Sequence, residues 1–336
     1  MTDSQPELPA RRTPLDPFSS GAPHLVGVVD TNALMSSIEN DCRHGHRSRL
    51  LRMSDTGSAV LFAADHVYRE MYERLPRFAE RCKVPLAPLF ERFEEDYLPA
   101  LRFVTVSGID APDPQVLAIT DPDDVPTGLL AKLIAPCVVF SEDRHLKKPG
   151  LAPKEWRKAA AFAVDIAEGV EGQTATMTVA ALPFRLAAEL FTATGRRMGV
   201  PPWLLAGIAL GGCALLLQKP DRRKVTAEIT WQIIEGIANQ LAVDQAQEQQ
   251  GIAGLRDVIL AAPSRPTLRQ QVAIALARQT QPVLAAEVRE LIYNHFPDEP
   301  AVSVQEVRAV LEGGSEFVRV QRYRWQLGRE AGPWRA

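Results

Sequence analysis

Four acidic residues stand in separate segments of the chain, each beside a predicted strand or helix. They are Asp30, Glu70, Asp124 and Asp143. Mg²⁺ and Mn²⁺ prefer oxygen ligands and keep several waters, so their sites need a few carboxylates rather than a cluster of His and Cys. Such an ion neutralises charge that develops on a phosphate and activates water. The four acids therefore predict a metal site suited to phosphodiester hydrolysis.

Predicted strands explain how acids so distant in sequence could meet. The apolar run 25–30 ends in Asp30, a second run covers 59–64, and a third at 137–140 is followed closely by Asp143. Helical patterns cover 66–75, 86–103 and 125–135. Strands that alternate with helices predict a parallel α/β sheet, whose site lies beyond the carboxyl ends of the strands. Both aspartates should therefore lie at that edge.

Each acid, taken singly, also has a purely structural interpretation. An aspartate after a strand often forms a turn or caps a helix N-terminus, and Asp124 stands where a helix cap would stand. The adjacent acids Asp121 and Asp123 are alternatives to it. We choose Asp124 because it directly precedes the predicted helix, with Asp123 as the second choice. The order of all four acids favours the metal site.

Three blocks of sequence, taken in order, resemble the PIN-domain nuclease family. VVDTNALMSS at 28–37 is similar to the opening motif, in which an Asp is followed by Thr or Ser and then Asn. HVYREMYERL at 66–75 is similar to the helix that carries the family's Glu. The segment 121–146 looks like the third and fourth acids with the helix and strand between them. The resemblance covers about 25–150 and implies a three-layer α/β/α domain with a parallel sheet.

The resemblance also implies roles for particular residues. Asp30, Glu70, Asp124 and Asp143 match the metal-binding acids. Asn32 matches the residue that orients the first acid, Thr31 belongs to the same motif, and Ser141 holds a small hydroxyl position two residues before the last acid. The family further implies RNA as substrate, Mg²⁺ or Mn²⁺ as cofactor, and a bacterial toxin-like role with an antitoxin partner.

Length and composition bound what the rest of the chain can be. A length of 336 residues predicts two or more domains. The net charge of −3 means that nucleic-acid contact must come from a local patch. Four widely spaced cysteines without CxxC spacing indicate a reducing cytoplasm. Residues 1–23, with five prolines and no apolar core, are interpreted as a disordered leader rather than a signal peptide.

An uncharged run of 21 residues lies in the middle of the chain. It covers 198–218 and has basic residues on both sides. About 20 apolar residues suffice to span a bilayer, so the run predicts a transmembrane or membrane-associated helix and a cytoplasmic protein held at the membrane. A buried helix in a soluble domain is the alternative. The flanking segments 151–195 and 219–262 are interpreted as a helical connector and a helical linker.

The C-terminal segment 267–328 predicts a winged helix-turn-helix. Helices are expected at 268–279, 283–294 and 304–312, the last started by a capping box of Ser303 and Glu306. The alternating, aromatic-rich run that follows is typical of a hairpin. Its basic residues Arg319, Arg322 and Arg324, interleaved with Tyr323 and Trp325, predict a nucleic-acid-binding edge. A module that binds another protein is the alternative.

Together these features favour a Mg²⁺- or Mn²⁺-dependent endoribonuclease with a C-terminal winged helix. Two other functions remain open: a membrane-anchored nucleic-acid-binding regulator with an inactive PIN fold, and a structure-specific DNA nuclease. The sequence Cys42-x-His44-x-His46 could also bind a metal, but no fourth ligand lies nearby. We interpret it as a polar loop.

Overall fold

A computed structural model of the chain describes residues 25–106, 113–176 and 220–332, with side chains from 235 onward in the last range. The predicted leader 1–23 and the uncharged run 198–218 lie outside the described residues. The described chain divides into two compact units, one with the residues up to Val164 and from Gly251 onward, the other within Asp165–Gln250. No helix in the described ranges is both long and apolar enough to cross a membrane.

A five-stranded, mostly parallel sheet organises the first unit, which confirms the expected α/β class. Its strands are β1 (Leu25–Val29), β2 (Ala59–Ala64), β3 (Leu101–Val104), β4 (Val138–Phe140) and, near the C-terminus, β8 (Arg329–Glu330). The order across the sheet is β4-β1-β2-β3-β8, and only β8 runs antiparallel. Every residue of β1, β2 and β4 is buried, as expected for strands covered on both faces.

Helices connect these strands and follow them directly. They are α1 (Thr31–His44), α2 (Arg49–Asp55), α3 (Asp65–Cys82), α4 (Leu86–Arg92), α5 (Leu98–Ala100), α6 (Pro114–Leu117), α7 (Val125–Ile134) and α8 (Arg144–Lys147). A π-helical turn at Phe93–Tyr97 joins α4 to α5, and a 3₁₀ turn at Pro122–Asp124 leads into α7. Helix α9 follows over 156–176. Because α1 and α3 start at the ends of β1 and β2, they carry their first residues to the carboxyl edge of the sheet.

The helix expected over 86–103 is wrong at its C-terminal end. Residues Leu101–Val104 form β3, which pairs in parallel with β2. Leu101, Phe103 and Val104 are buried, so the strand supplies apolar side chains to the core. Pro99 lies just before the change from helix to strand. The helix ends at Ala100 and the strand begins at Leu101, without a turn between them. The sequence pattern therefore does not mark the boundary between helix and strand.

A C-terminal module contains three helices and a small antiparallel sheet. It comprises α11 (Leu268–Ala277), β5 (Val283–Leu284), α12 (Ala285–His295), α13 (Val304–Gly313), β6 (Phe317–Gln321) and β7 (Arg324–Leu327), after the long helix α10 (Pro220–Arg256). The sheet order is β5-β7-β6. The capping box of Ser303 and Glu306 is present at the start of α13. The module follows the predicted order of helices and hairpin, but residues 283–284, predicted as the start of the second helix, form β5 instead.

The C-terminal module shares its core with the five-stranded sheet. A single apolar cluster includes Val28 in β1, Leu133 in α7, Leu276 in α11 and Leu327 in β7. Strand β8 belongs to the C-terminal segment and pairs with β3, so it forms the edge of the five-stranded sheet. Arg329 also forms an ion pair of 2.8 Å with Asp65, the first residue of the helix that carries Glu70. The module is therefore packed against the sheet rather than tethered loosely.

Arg102 in β3 bridges the sheet and the module, and its loss should destabilise both. Its guanidinium donates to the carbonyl oxygens of Gln279 (2.8 Å) and Thr280 (2.7 Å). Replacing it by Met removes both bonds and is expected to lower the free energy of unfolding by about 2 kcal/mol. Urea unfolding followed by circular dichroism would measure this. The exposed Arg308→Met is the control, and an equal midpoint for the two variants would contradict the bridging role.

The second unit contains an antiparallel pair of helices formed by parts of α9 and α10. Side-chain hydrogen bonds join them, from Gln173 to Glu248 (2.6 Å) and from Gln247 to Glu168 (3.1 Å). A Cβ added at Gly169 would lie 2.7 Å from the carbonyl oxygen of Asp244, so the helices approach closely there. The expected helical linker over 219–262 thus corresponds to α10, which ends earlier, at Arg256.

Candidate metal centre

The four predicted acids lie near the carboxyl edge of the sheet. Asp30 follows β1 directly and is 2% exposed. Glu70 lies in the second turn of α3, Asp124 ends the 3₁₀ turn before α7, and Asp143 caps α8. Glu70 and Asp124 are each 8% exposed. Burying a carboxylate is costly unless its charge is compensated, so such a group of acids needs an explanation.

Two hydroxyl groups connect the acids. Ser141 Oγ donates to Asp30 Oδ2 at 2.8 Å and accepts from the backbone N–H of Asp143 at 2.9 Å. Thr31 Oγ1 donates to Glu70 Oε2 at 2.6 Å. Hydrogen bonds of this kind fix the orientation of carboxylates that serve as ligands. Thr31 and Ser141, both named in the sequence analysis, are therefore each hydrogen-bonded to one of the acids.

Asp124 does not behave as a helix cap, which was its structural alternative. Its side chain makes no capping hydrogen bond to α7, and its Oδ2 is buried without a hydrogen-bond partner. The side chain of Asp123, the second choice, is 72% exposed. Asp121 instead caps the 3₁₀ turn by accepting from the N–H of Asp123. Of the three adjacent acids, Asp124 is the buried one.

Burial and mutual repulsion raise the pKa values of two of the acids. The pKa of Asp30 is raised to about 6, mainly by burial. The hydrogen bond from Ser141 lowers this pKa, and the negative charges of Glu70 and Asp143 raise it. The pKa of Asp124 is raised to about 7 by burial and then by the charges of Asp143 and Asp30. Four carboxyl groups therefore influence one another electrostatically. A divalent cation would relieve this repulsion.

The donor set fits Mg²⁺ or Mn²⁺ in its chemistry, but its side chains are not drawn together around one point. Within the described ranges, no three His, Cys, Asp or Glu side chains form a group that could hold a metal ion as placed. Both oxygens of Glu70 already have partners, Thr31 and, at 2.7 Å, Arg74. Asp143 Oδ1 accepts from the N–H of His145 at 2.8 Å. Asp124 Oδ2, by contrast, is buried and has no hydrogen-bond partner.

Asn32 takes a different position from the one that the resemblance implied. It lines a groove beside the site, together with Asp121 and Asp143. The hydrogen bond that orients Asp30 comes from Ser141 instead. In the part of the chain that the structure describes, Asn32 makes no hydrogen bond to Asp30.

Two residues near the acids were not anticipated. Arg74, one helical turn after Glu70, forms the ion pair with it and lies 3.8 Å from Asp123. His66 is partly buried, and its Nδ1 has no hydrogen-bond partner. Burial lowers the pKa of His66, whereas the negative charge of Glu70 raises it. The spacing of Glu70 and Arg74 is an i,i+4 pair on one helix face, a signal that the sequence does contain.

The three arginines of the predicted basic edge of the C-terminal module differ in their contacts. The guanidinium groups of Arg319 and Arg322 each lie 5.2 Å from the ring centre of Tyr323, which is 51% exposed. Arg324 instead donates to the carbonyl oxygen of Pro282 at 2.9 Å and lies 3.9 Å from Glu287. The exposed cation–π cluster therefore consists of Arg319, Arg322 and Tyr323.

The cysteine and histidines of the Cys42-x-His44-x-His46 sequence do not form a metal site in the described structure. Cys42 Sγ donates to the carbonyl oxygen of Pro88 at 3.6 Å, while His44 and His46 lie in the wall of a second groove. The polar-loop interpretation is wrong for Cys42 and His44, which lie in the last turn of α1, whereas His46 lies in the loop that follows.

Compared with models of known protein families, with curated proteins and with solved structures, the chain matches none of them.

Proposed function

We propose that the chain is a Mg²⁺- or Mn²⁺-dependent ribonuclease of the PIN type. The observation that carries the proposal is the buried Asp124 Oδ2, which has no hydrogen-bond partner and lies near enough to Asp30, Glu70 and Asp143 for their charges to raise the pKa of Asp124. A purely structural role would normally satisfy such an oxygen. The order of sequence motifs adds the substrate class, because the resemblance implies RNA.

In this proposal the four acids would hold one or two cations. A bound ion supplies charge neutralisation at the scissile phosphate and activation of the attacking water. Ser141 keeps Asp30 in place, and Thr31 and Arg74 keep Glu70 in place, so that the ligands are fixed before the ion binds. Below about pH 6 for Asp30 and about pH 7 for Asp124 these carboxyl groups hold protons, which a bound cation would displace.

The C-terminal module serves as a winged-helix accessory domain in this proposal. Arg319 and Arg322 beside the exposed Tyr323 combine two cations with an aromatic face. Such a surface suits a phosphate backbone with an adjacent base. Arg324, which is tied to Pro282 and Glu287, contributes less.

A nucleic-acid-binding protein without catalysis is the second candidate. It is favoured by the observation that no three ligands in the described residues are grouped closely enough to hold one ion. Both candidates use the exposed basic surface, and they differ in whether the acids bind a metal. A DNA nuclease would use the same acids on a different substrate.

The test is cleavage by the purified full chain. Labelled single-stranded RNA, single-stranded DNA and flap DNA are each incubated with the protein in Mn²⁺ or in EDTA. We expect RNA to be cut in Mn²⁺ and none of the three to be cut in EDTA. RNA binding that weakens with salt, without any cleavage in Mn²⁺, would favour the second candidate. Cleavage of flap DNA alone would assign a DNA nuclease.

A further inference from the structure

Two adjoining grooves share part of their walls, and the first of them lies beside Asp143. The first, of about 610 Å³, includes Asn32, Asp121 and Asp143. The second, of about 630 Å³, is formed by the end of α1, by α2 and by the start of α9. Ser36, Glu39 and Arg157 line both grooves. The two grooves therefore adjoin along these three residues.

The second groove, here named the arginine groove, is rich in arginine. Its walls contain Arg43, Arg47, Arg49, Arg52 and Arg157. The only acidic residue in these walls, in the part of the chain with described side chains, is Glu39. The whole chain has a net charge of −3, so the arginine content of this surface contrasts with the negative charge of the chain. A local excess of arginine is the electrostatic pattern expected for a polyanion site.

Arg157 pairs with Glu142 (2.6 Å), and two more of these arginines are also neutralised by acidic side chains. Arg47 pairs with Asp55 (2.7 Å) and Asp96 (2.9 Å), and Arg43 pairs with Glu39 (2.8 Å). Arg49 donates to the carbonyl oxygen of Arg157 at 3.3 Å, which leaves its positive charge uncompensated. Arg49 is exposed, so its charge is available to a ligand.

The neutral part of the wall also suits phosphate rather than bases. Ser36, Ser37 and Asn40 add hydroxyl and amide groups of the kind that contact phosphate oxygens. The aromatic residue in the wall, Trp156, is 6% exposed and offers little surface for stacking. Recognition there would rest on the charged backbone and not on base identity.

We propose that the arginine groove binds the phosphate backbone of a single-stranded polynucleotide that extends from the acidic site. The proposal rests on the proposed function, because continuity with the acids is what favours a nucleic acid over an acidic protein. Arg49 and Arg52 are the residues to which we assign phosphate binding, since both lie on α2 in the wall of the groove. Binding should be independent of base sequence and should weaken steeply with salt.

The test measures binding in EDTA, so that cleavage plays no part. The full chain is titrated into fluorescein-labelled 12-nucleotide oligo(U), oligo(A) and oligo(dT) at several salt concentrations. The double variant Arg49→Gln/Arg52→Gln should weaken binding of all three about 10-fold at low salt. It should reduce the salt slope by about 0.7 for each phosphate that is no longer neutralised. The control is Arg77→Gln/Arg308→Gln, which removes two arginines that lie outside the groove. Equal thermal midpoints would show that all variants are folded.

The outcomes separate this proposal from the nuclease proposal. Weaker binding by the groove variant supports the groove even if the wild-type protein cuts nothing. Unchanged binding overturns it even if the wild-type protein cuts RNA. Loss of oligo(U) and oligo(A) binding with retention of oligo(dT) also overturns the proposal, because DNA carries the same phosphate charges as RNA. If the groove variant loses affinity for labelled poly-glutamate but not for the oligonucleotides, the groove is a protein site and the proposal fails.

Discussion

Replacing Asp30 by Asn is expected to lower Mn²⁺-dependent RNA cleavage by at least about 100-fold, since even residues behind the ligands affect metal sites 10- to 100-fold. Asp30 lies directly after β1, is almost fully buried, and has a pKa that burial raises, with further contributions from Glu70 and Asp143. The amide of asparagine still accepts the hydrogen bond from Ser141, but it carries no negative charge for a cation. The change therefore separates the metal-binding role of Asp30 from its place in the hydrogen-bond network.

The measurement is the initial rate of cleavage at saturating RNA, with the thermal midpoint recorded in EDTA. The Asp30→Asn protein should unfold at the same temperature as wild type or higher, because a repulsive buried charge has been removed. Asp298→Asn, an exposed aspartate in the C-terminal module, is the matched control and should cut normally. Full activity in the Asp30→Asn protein would remove Asp30 from the catalytic centre and, with it, the main support for a nuclease.

Much of the sheet could be predicted because its strands are unusually clear in the sequence. The apolar runs that form β1, β2 and β4 are buried along their whole length, and such strands appear as unbroken apolar segments. Strand β3 has only four residues and follows a helix without a turn. Strand β8 has two residues and exists through its pairing with β3. Such short strands depend on tertiary contacts that local patterns do not record.

The candidate site also has features that the sequence predicts and features that only the tertiary structure reveals. The positions of Asp30 and Asp143 follow from the ends of β1 and β4, which the sequence reveals. The burial of Asp124 rather than Asp123 depends on a 3₁₀ turn of three residues, and adjacent acids look alike in sequence. The pairing of Arg324 with Pro282 and Glu287 requires β5 to lie beside β7. Arginines that seem equivalent in sequence are therefore unequal in the fold.

Asp124→Asn should stabilise the metal-free protein, and more so at pH 8 than at pH 5. The pKa of Asp124 is raised to about 7 in the folded chain from an ordinary value of 3.8. Between about pH 4 and pH 7 the folded chain holds a proton that the unfolded chain has released. The free energy of unfolding therefore falls as pH rises through this window. The full shift corresponds to about 4 kcal/mol; water near the site screens the charges, so we expect a difference of about 2 kcal/mol.

The difference between variant and wild type must be measured, because other groups titrate in the opposite sense. Burial lowers the pKa of His66, and it lowers that of His295 to about 4. These histidines make the folded chain more stable as pH rises towards 6.5. Subtracting the urea-unfolding free energies of wild type and Asp124→Asn at each pH cancels their contribution. The adjacent Asp123→Asn, which removes a largely exposed carboxylate, is the control.

Mn²⁺ should reverse the order of stability. An ion present at 100 times its Kd stabilises the folded state by about 2.7 kcal/mol, and a site that has lost one of its carboxylates binds the ion less tightly. At pH 8 in EDTA, Asp124→Asn should have the larger free energy of unfolding. In Mn²⁺ the wild-type protein should gain stability and become the more stable of the two. If both proteins respond equally to Mn²⁺, Asp124 is not a ligand. If neither responds at millimolar Mn²⁺, the four acids do not form a metal centre, and the binding protein without catalysis becomes the better account of the chain.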